Sequence, residues 1–322
     1  MLQAISLLIV GIILLVWAGD WLVRGAAALA RHWGVPALVV GLTIVAFGTS
    51  APEMIVGIQA ALKGSGNLAA GNIIGSNIAN VLLALGAPAL ILAIPTNMAG
   101  VARNSGIALA ATIAFIILIF LGNPLVFWQG AVLFAGIILY LAYMFRLAKT
   151  GSEDPILQEM TEIDEGQDGL PTNIGISTFF ILFGLIGLFI GGKLIVDNAI
   201  ILASALGISE TIIGLTIVAI GTSLPEVATV IIAAWRGQPG VAIGNVLGSN
   251  VFNLLAVGGA SAIAGPILIE PGLMVFDIWV MLIAMIVLLI FVLKRAEIGR
   301  KTGMIFLLAY ILYLAALVRG VL

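Results

Sequence analysis

One fourteen-residue segment occurs twice in this chain: Gly41 to Met54 reads GLTIVAFGTSAPEM and Gly214 to Val227 reads GLTIVAIGTSLPEV, identical at 11 of 14 positions. Each copy carries one acid, Glu53 or Glu226, inside an otherwise apolar stretch. A second pair keeps the same spacing, with GNIIGSNIAN from Gly71 to Asn80 and GNVLGSNVFN from Gly244 to Asn253. The offset stays at 173 residues from Gly19 and Gly192, through Gly34 and Gly207, to Asn80 and Asn253, with no gap. Such a chain must fold as two like halves, and a site at their junction has a two-fold inventory of side chains.

Composition sets the solvent. With 62% hydrophobic and 9% charged residues and a mean hydropathy of +1.27, the apolar surface exceeds what a water-soluble globule can hide. An all-α integral membrane protein is expected, and the first apolar run reads as a spanning helix, not a cleaved leader. There is no cysteine and one histidine, His32, so thiolate sites, disulfides and histidine-based chemistry have almost no material. No basic tract suggests nucleic acid. His32 and the charges Asp20, Arg24, Lys193 and Asp197 are assigned to loops or span ends.

A helical span needs about 20 mostly apolar residues. Ten such stretches are expected at 3–29, 37–62, 68–94, 104–121, 125–146, 174–204, 210–235, 241–268, 273–293 and 303–319. The polar segment 149–173 holds seven of the fifteen acids and is read as a linker between a first five-helix repeat, 1–148, and a second, 174–322. Five crossings is an odd number, so the second copy enters from the opposite side and the repeats are inverted in topology. With the N-terminus outside, the outer side holds Lys63, Lys193 and Arg319 and the inner side the other ten Lys and Arg. That bias follows the positive-inside rule. Both termini are then extracytoplasmic and the acidic linker cytoplasmic, in the plasma (inner) membrane.

A carboxylate at membrane depth is costly unless it is paired or binds a cation. Thr49, Ser50 and Glu53 share one helical face, and Thr222, Ser223 and Glu226 repeat them. Pro52 and Pro225 lack an N–H, so broken helices at the midplane are expected, with carbonyls near Ala46 to Gly48 released from helical bonding. Asn72, Ser76 and Asn80 form a second oxygen-bearing face, repeated by Asn245, Ser249 and Asn253. Gly71 and Gly75 are expected to admit a neighbouring helix closely, while Asn72, Asn77, Asn245 and Asn250 brace the interface. Two carboxylates, hydroxyls, amide oxygens and carbonyls suit a hard cation, and Ca²⁺, with 6 to 8 oxygens, fits better than octahedral Mg²⁺. Two ionised glutamates neutralise one Ca²⁺, and the same pair can instead hold two or more Na⁺ or be protonated. Competing occupancy of one site is the simplest basis for antiport.

At these segments the chain resembles the cation/calcium exchanger superfamily, in particular prokaryotic sodium/calcium exchanger homologues. The resemblance covers essentially the whole chain through its paired G-[ST]-S-x-P-E and GNxxGSNxxN segments. It implies a Ca²⁺ site of Glu53 and Glu226 with the backbone of Thr49 and Thr222. It also implies flanking Na⁺ sites from the carbonyls of Ala46 and Ala219 and the hydroxyls of Ser50, Ser223, Ser76 and Ser249. The first and sixth helices would slide across the other eight. Asn253 stands where the archaeal pattern has aspartate, matching Asn80 of the first copy. No cofactor is implied, since Ca²⁺, Na⁺ or H⁺ are cargo. No protein partner is evident, and one copy of the chain is expected to suffice. The alternatives are an H⁺/Ca²⁺ antiporter and, more remotely, a passive cation channel. An intramembrane hydrolase lacks a base beside Ser50 or Ser223.

Overall fold

In lipid every backbone polar group needs a partner within the protein, which leaves the helix as the economical form for these apolar runs. The computed structural model describes residues 2–35, 37–150, 171, 173–205, 221 and 223–318. Helix α1 spans Leu2–Trp33. A bent pair follows, α2 (Gly41–Thr49) and α3 (Ala51–Leu62), inclined by 50° at their junction. Then come α4 (Gly66–Ala89), α5 (Val101–Leu121) and α6 (Phe127–Thr150). The second half holds α7 (Ile174–Ala205), α8 (Leu224–Trp235), α9 (Pro239–Ala264), α10 (Leu273–Leu293) and α11 (Arg300–Val318).

Eight of the described helices are long and apolar enough to cross a bilayer, and nine such crossings result when the bent pair is taken as one. The expected seventh span is represented by α8, a shorter apolar helix; the rest of 210–235 lies outside the described residues except Gly221 and Ser223, as does nearly all of the acidic linker. No strand forms among the described residues, only two isolated bridges. Polarity is inverted relative to a soluble protein. Glu53, Glu226, Asn80 and Asn253 are buried, while Ile113, Ile117, Phe120 and Leu121 of α5 are exposed.

Packing follows the 173-residue offset. A Cβ on Gly11 would sit 3.0 Å from the Gly191 carbonyl oxygen and 3.0 Å from Ile195 Cγ1; one on Gly184 would sit 2.8 Å from the Ala18 oxygen and 2.7 Å from the Leu22 amide. Adding 173 to 11, and subtracting it from 191 and 195, turns the first contact into the second. Gly259 against Gly130 and Phe134 becomes Gly86 against Gly303 and Leu307 in the same way. So do the bridges, Ile94 with Ile298 and Leu125 with Ile267, each closed by two amide–carbonyl bonds of 2.9 to 3.1 Å. These contacts join one half to the other, so neither half has a complete core alone. Helices α1 and α7 run antiparallel, with Gly11 at Gly191 and Gly25 at Ser177. Small residues allow this approach, since lipid gives helices no hydrophobic reason to associate.

Several peripheral expectations change. His32 lies in the last turn of α1, and Lys193 is inside α7, exposed and 3.8 Å from Asp197. Asp20 joins α1 to the end of α8 by accepting from Arg236, with Arg24 3.7 Å away. The helices extend further than hydropathy alone suggests because long polar side chains reach aqueous layers from inside a helix.

Candidate cation site

The chain breaks its helix at Ser50, with φ −85° and ψ 2°, and at the equivalent Ser223, with φ −89° and ψ 4°. Pro52 and Pro225 fall in the first turn of the helices that follow, α3 and α8, where a missing N–H costs nothing. Glu53 and Glu226 sit in those same first turns, where the positive end of the helix dipole favours an anion. The Ala46 carbonyl, expected to be released, keeps its helical partner: the Ser50 amide donates to it at 3.0 Å. Its helix runs on to Thr49, so the interruption falls a turn later than Ala46. The Gly48 carbonyl is the one aligned with Pro52, which has no N–H to offer.

Glu53 is 1% exposed and Glu226 0% exposed, and the two carboxylates are near enough to act on each other electrostatically. Ser50 Oγ donates to Glu226 Oε1 at 3.3 Å, a bond that crosses between the halves. Among the described residues, Glu226 Oε2 and both oxygens of Glu53 have no hydrogen-bond partner. Leaving a buried carboxylate in that condition costs several kcal/mol. Oxygens arranged so are suited to a cation.

Neutral oxygens surround the pair. Asn80 and Asn253 are each 0% exposed, and among the described residues neither amide makes a hydrogen bond with either of its polar atoms. Both lie at widened turns: Asn253 within Phe252–Val257, where the helix loosens to a five-residue repeat, and Asn80 beside an Ala84 amide that donates to Ala79 at 2.9 Å. Such turns recur at functional sites. Ser76, Ser249 and Thr49 are buried, and so is Ser223, whose hydroxyl has no partner among the described residues. Thr222 and Ala219 lie outside the described residues. Among the described residues no three His, Cys, Asp or Glu come together, and the carboxylates described in the site are Glu53 and Glu226.

The bracing amides divide. Asn72 Nδ2 donates to the Glu53 carbonyl at 3.2 Å, and Asn245 Nδ2 to the Glu226 carbonyl at 3.5 Å, an exact exchange under the offset. Asn77 instead bonds to Ile73 of its own helix, and Asn250 approaches the Met285 sulfur at 3.9 Å. Gly71 and Gly75 have no described atom within 4 Å of an added Cβ, whereas Gly248, the equivalent of Gly75, would clash with Leu42 and Ala46 at 2.6 Å. Among the described residues, close packing is thus observed for the second copy. The offset maps the α2 residues 42 and 46 onto 215 and 219, outside the described residues.

A third buried acid escaped the sequence reading. Asp277, 2% exposed in α10, accepts from Tyr313 Oη at 2.6 Å. A lone acid in an apolar run was the available signal, but its counterpart in the first copy is Asn104, so the repeat did not flag it. Removing the donor by Tyr313→Phe should lower stability by about 1–3 kcal/mol, the cost of an orphaned buried acceptor. Thermal unfolding in detergent measures this, and adding Asp277→Leu to the variant should recover part of the loss.

With this geometry in place, the relatives become informative. The family model for "Sodium/calcium exchanger protein" matches residues 3–146 and 176–319. The Inner membrane protein YrbG of Escherichia coli is 35% identical, over 98% of this chain and 97% of its own. The sodium/calcium exchanger MaX1 of Methanosarcina acetivorans is 30% identical, over 97% of each. A solved structure of the sodium-calcium exchanger NCX_Mj, soaked with 10 mM Na⁺ and no Ca²⁺, superposes with a TM-score of 0.81 at 33% identity, over 98% of this chain and 99% of that one. The chain belongs to the sodium/calcium exchanger protein family, a family of membrane transporters and not of enzymes.

Proposed function

We propose that this protein is a secondary antiporter exchanging Ca²⁺ for Na⁺ across the plasma membrane by alternating access. The observation that carries the reading is the pair Glu53 and Glu226, both buried, with three of four carboxylate oxygens unpaired among the described residues. One Ca²⁺ would be held between them with the backbone of Thr49 and Thr222. Na⁺ would occupy places completed by Ser50, Ser223, Ser76, Ser249, Asn80, Asn253 and the carbonyls of Ala46 and Ala219. Of these, Ala46 is the weakest candidate, since its oxygen already accepts the Ser50 amide.

The architecture proposed with it is ten spans in two inverted five-helix repeats, 1–148 and 174–322, joined by a cytoplasmic linker, 149–173, with both termini outside. The exchanged contacts Gly11–Gly191 and Gly184–Ala18, the antiparallel α1 and α7, and the two bridges support it. One chain contains both halves of the site, so a monomer suffices.

The test is ⁴⁵Ca²⁺ uptake into sealed proteoliposomes loaded with Na⁺, with an acidic interior, or with neither. Uptake that requires internal Na⁺ is the expected result. Uptake driven by the proton gradient alone would reassign the counter-ion to H⁺, and uptake with neither would indicate a channel.

A further inference from the structure

Within the proposed cation site, on which this inference rests, the amide of Asn245 is engaged on three sides. It is 0% exposed. Its Nδ2 donates to the Glu226 carbonyl at 3.5 Å, which turns Oδ1 the other way. That oxygen accepts from Thr49 Oγ1 at 3.1 Å and from Ser249 Oγ at 3.4 Å. An amide oxygen has two lone pairs, so the two hydroxyls use both. One hydroxyl comes from the broken element α2 and the other from α9, and the amide itself is anchored to α8.

The chemistry of a hydroxyl explains why this matters. It has one proton and two lone pairs, and only a lone pair can face a cation. Its proton must then find an acceptor elsewhere. Thr49 Oγ1 has the Ala46 carbonyl and Ser249 within 3.4 Å, but the Asn245 oxygen is nearer at 3.1 Å. Thr49 and Ser50 lie against the Glu226 carboxylate, which loses its appeal as an acceptor for their protons once it binds a cation. We propose that Asn245 is a positioning residue: it takes the protons of Thr49 and Ser249, turns their lone pairs into the site and fixes their distance from Glu226. Asn72, bonded to the Glu53 carbonyl at 3.2 Å, holds the corresponding place in the first copy.

The experiment measures half-saturating Ca²⁺ and maximal rate of ⁴⁵Ca²⁺ uptake, with cation-free melting, for Asn245→Leu, Thr49→Val and the double variant. Asn245→Leu should raise half-saturating Ca²⁺ roughly 10- to 100-fold, as loss of a ligand-orienting partner does. Cation-free melting should fall only as far as losing buried hydrogen bonds entails, leaving the variant folded under the assay conditions. The double variant should be no worse than the more severe single one, because Asn245 acts through the hydroxyl that Thr49→Val deletes. Asn245→Asp keeps the accepting oxygen and should lie nearer the parent than Asn245→Leu. The proposal is overturned if the two single effects multiply in the double variant, if the aspartate variant is no better than the leucine one, or if melting falls while half-saturation is unchanged. Glu53→Gln separates the two levels. If it abolishes uptake while Asn245→Leu leaves half-saturation alone, only this inference fails; if it too leaves uptake intact, the cation site itself is misplaced.

Discussion

Replacing Glu53 by Gln should lower Ca²⁺ uptake by at least about a hundredfold and leave the folded protein intact, and Glu226→Gln should do the same. The size follows from charge. Removing one partner of a buried ionic cluster costs about 3–5 kcal/mol, and every 1.4 kcal/mol is about a factor of ten. The fold survives because both Glu53 oxygens lack partners, so the substitution breaks no described bond. At Glu226 the accepting oxygen of glutamine can still receive a hydrogen bond from Ser50 Oγ, which now lies 3.3 Å from Oε1. Flux measurements alongside size-exclusion profiles check both statements. Comparable loss at both positions is the expected pattern, and an effect at one alone would deny the site its two-fold character.

The second large effect concerns assembly. A Cβ on Gly184 would lie 2.7 Å from the Leu22 amide and 2.8 Å from the Ala18 carbonyl, atoms of the α1 backbone with no rotamer to change. Gly184→Leu should therefore force α1 and α7 apart and abolish recovery of monodisperse protein, while Gly184→Ala costs about 1–3 kcal/mol, as overpacking does. Gly11→Ala, the equivalent change, should match it. Gly106→Ala in α5, with no described atom within 4 Å, serves as the control and should melt like the parent. Apparent melting by fluorescence-detected size exclusion gives the comparison. Equal melting of the Gly184 and Gly106 variants would remove the close crossing from the account.

Much of this was legible in residues that occur twice. The Gly41–Met54 copy and its Pro52 and Pro225 located the helix breaks, while the exact break at Ser50 and Ser223, which puts each acid in the first turn of the next helix, came from the structure. The 173-residue offset was read from Gly19 to Asn80, and the structure extends it to packing and to the paired bridges at Ile94 and Leu125. What stayed hidden depends on contacts between elements distant in sequence. Ser50 bonds to the glutamate of the other copy, a cross-half contact that no single helical face reveals. Spacing gave Asn72 and Asn80 one helical face, but which carbonyl Asn72 braces, that of Glu53, and the lack of a described partner for Asn80 were not readable from it. Asp277 was invisible to an argument from duplication because its counterpart is Asn104. The Ala46 carbonyl was misjudged because helix bonding persists through Ser50, which local propensity at Pro52 does not encode.

The central claim is that one divalent cation sits between Glu53 and Glu226. Anomalous diffraction from crystals soaked in Ca²⁺, or in Sr²⁺ as a stronger scatterer, tests it most directly. The account predicts a single strong peak about 2.3–2.6 Å from carboxylate oxygens of both residues, absent from crystals of Glu53→Gln grown and soaked in the same way. A peak placed instead at Asp277, at the Asp20–Arg236 pair, or against one glutamate only would contradict it.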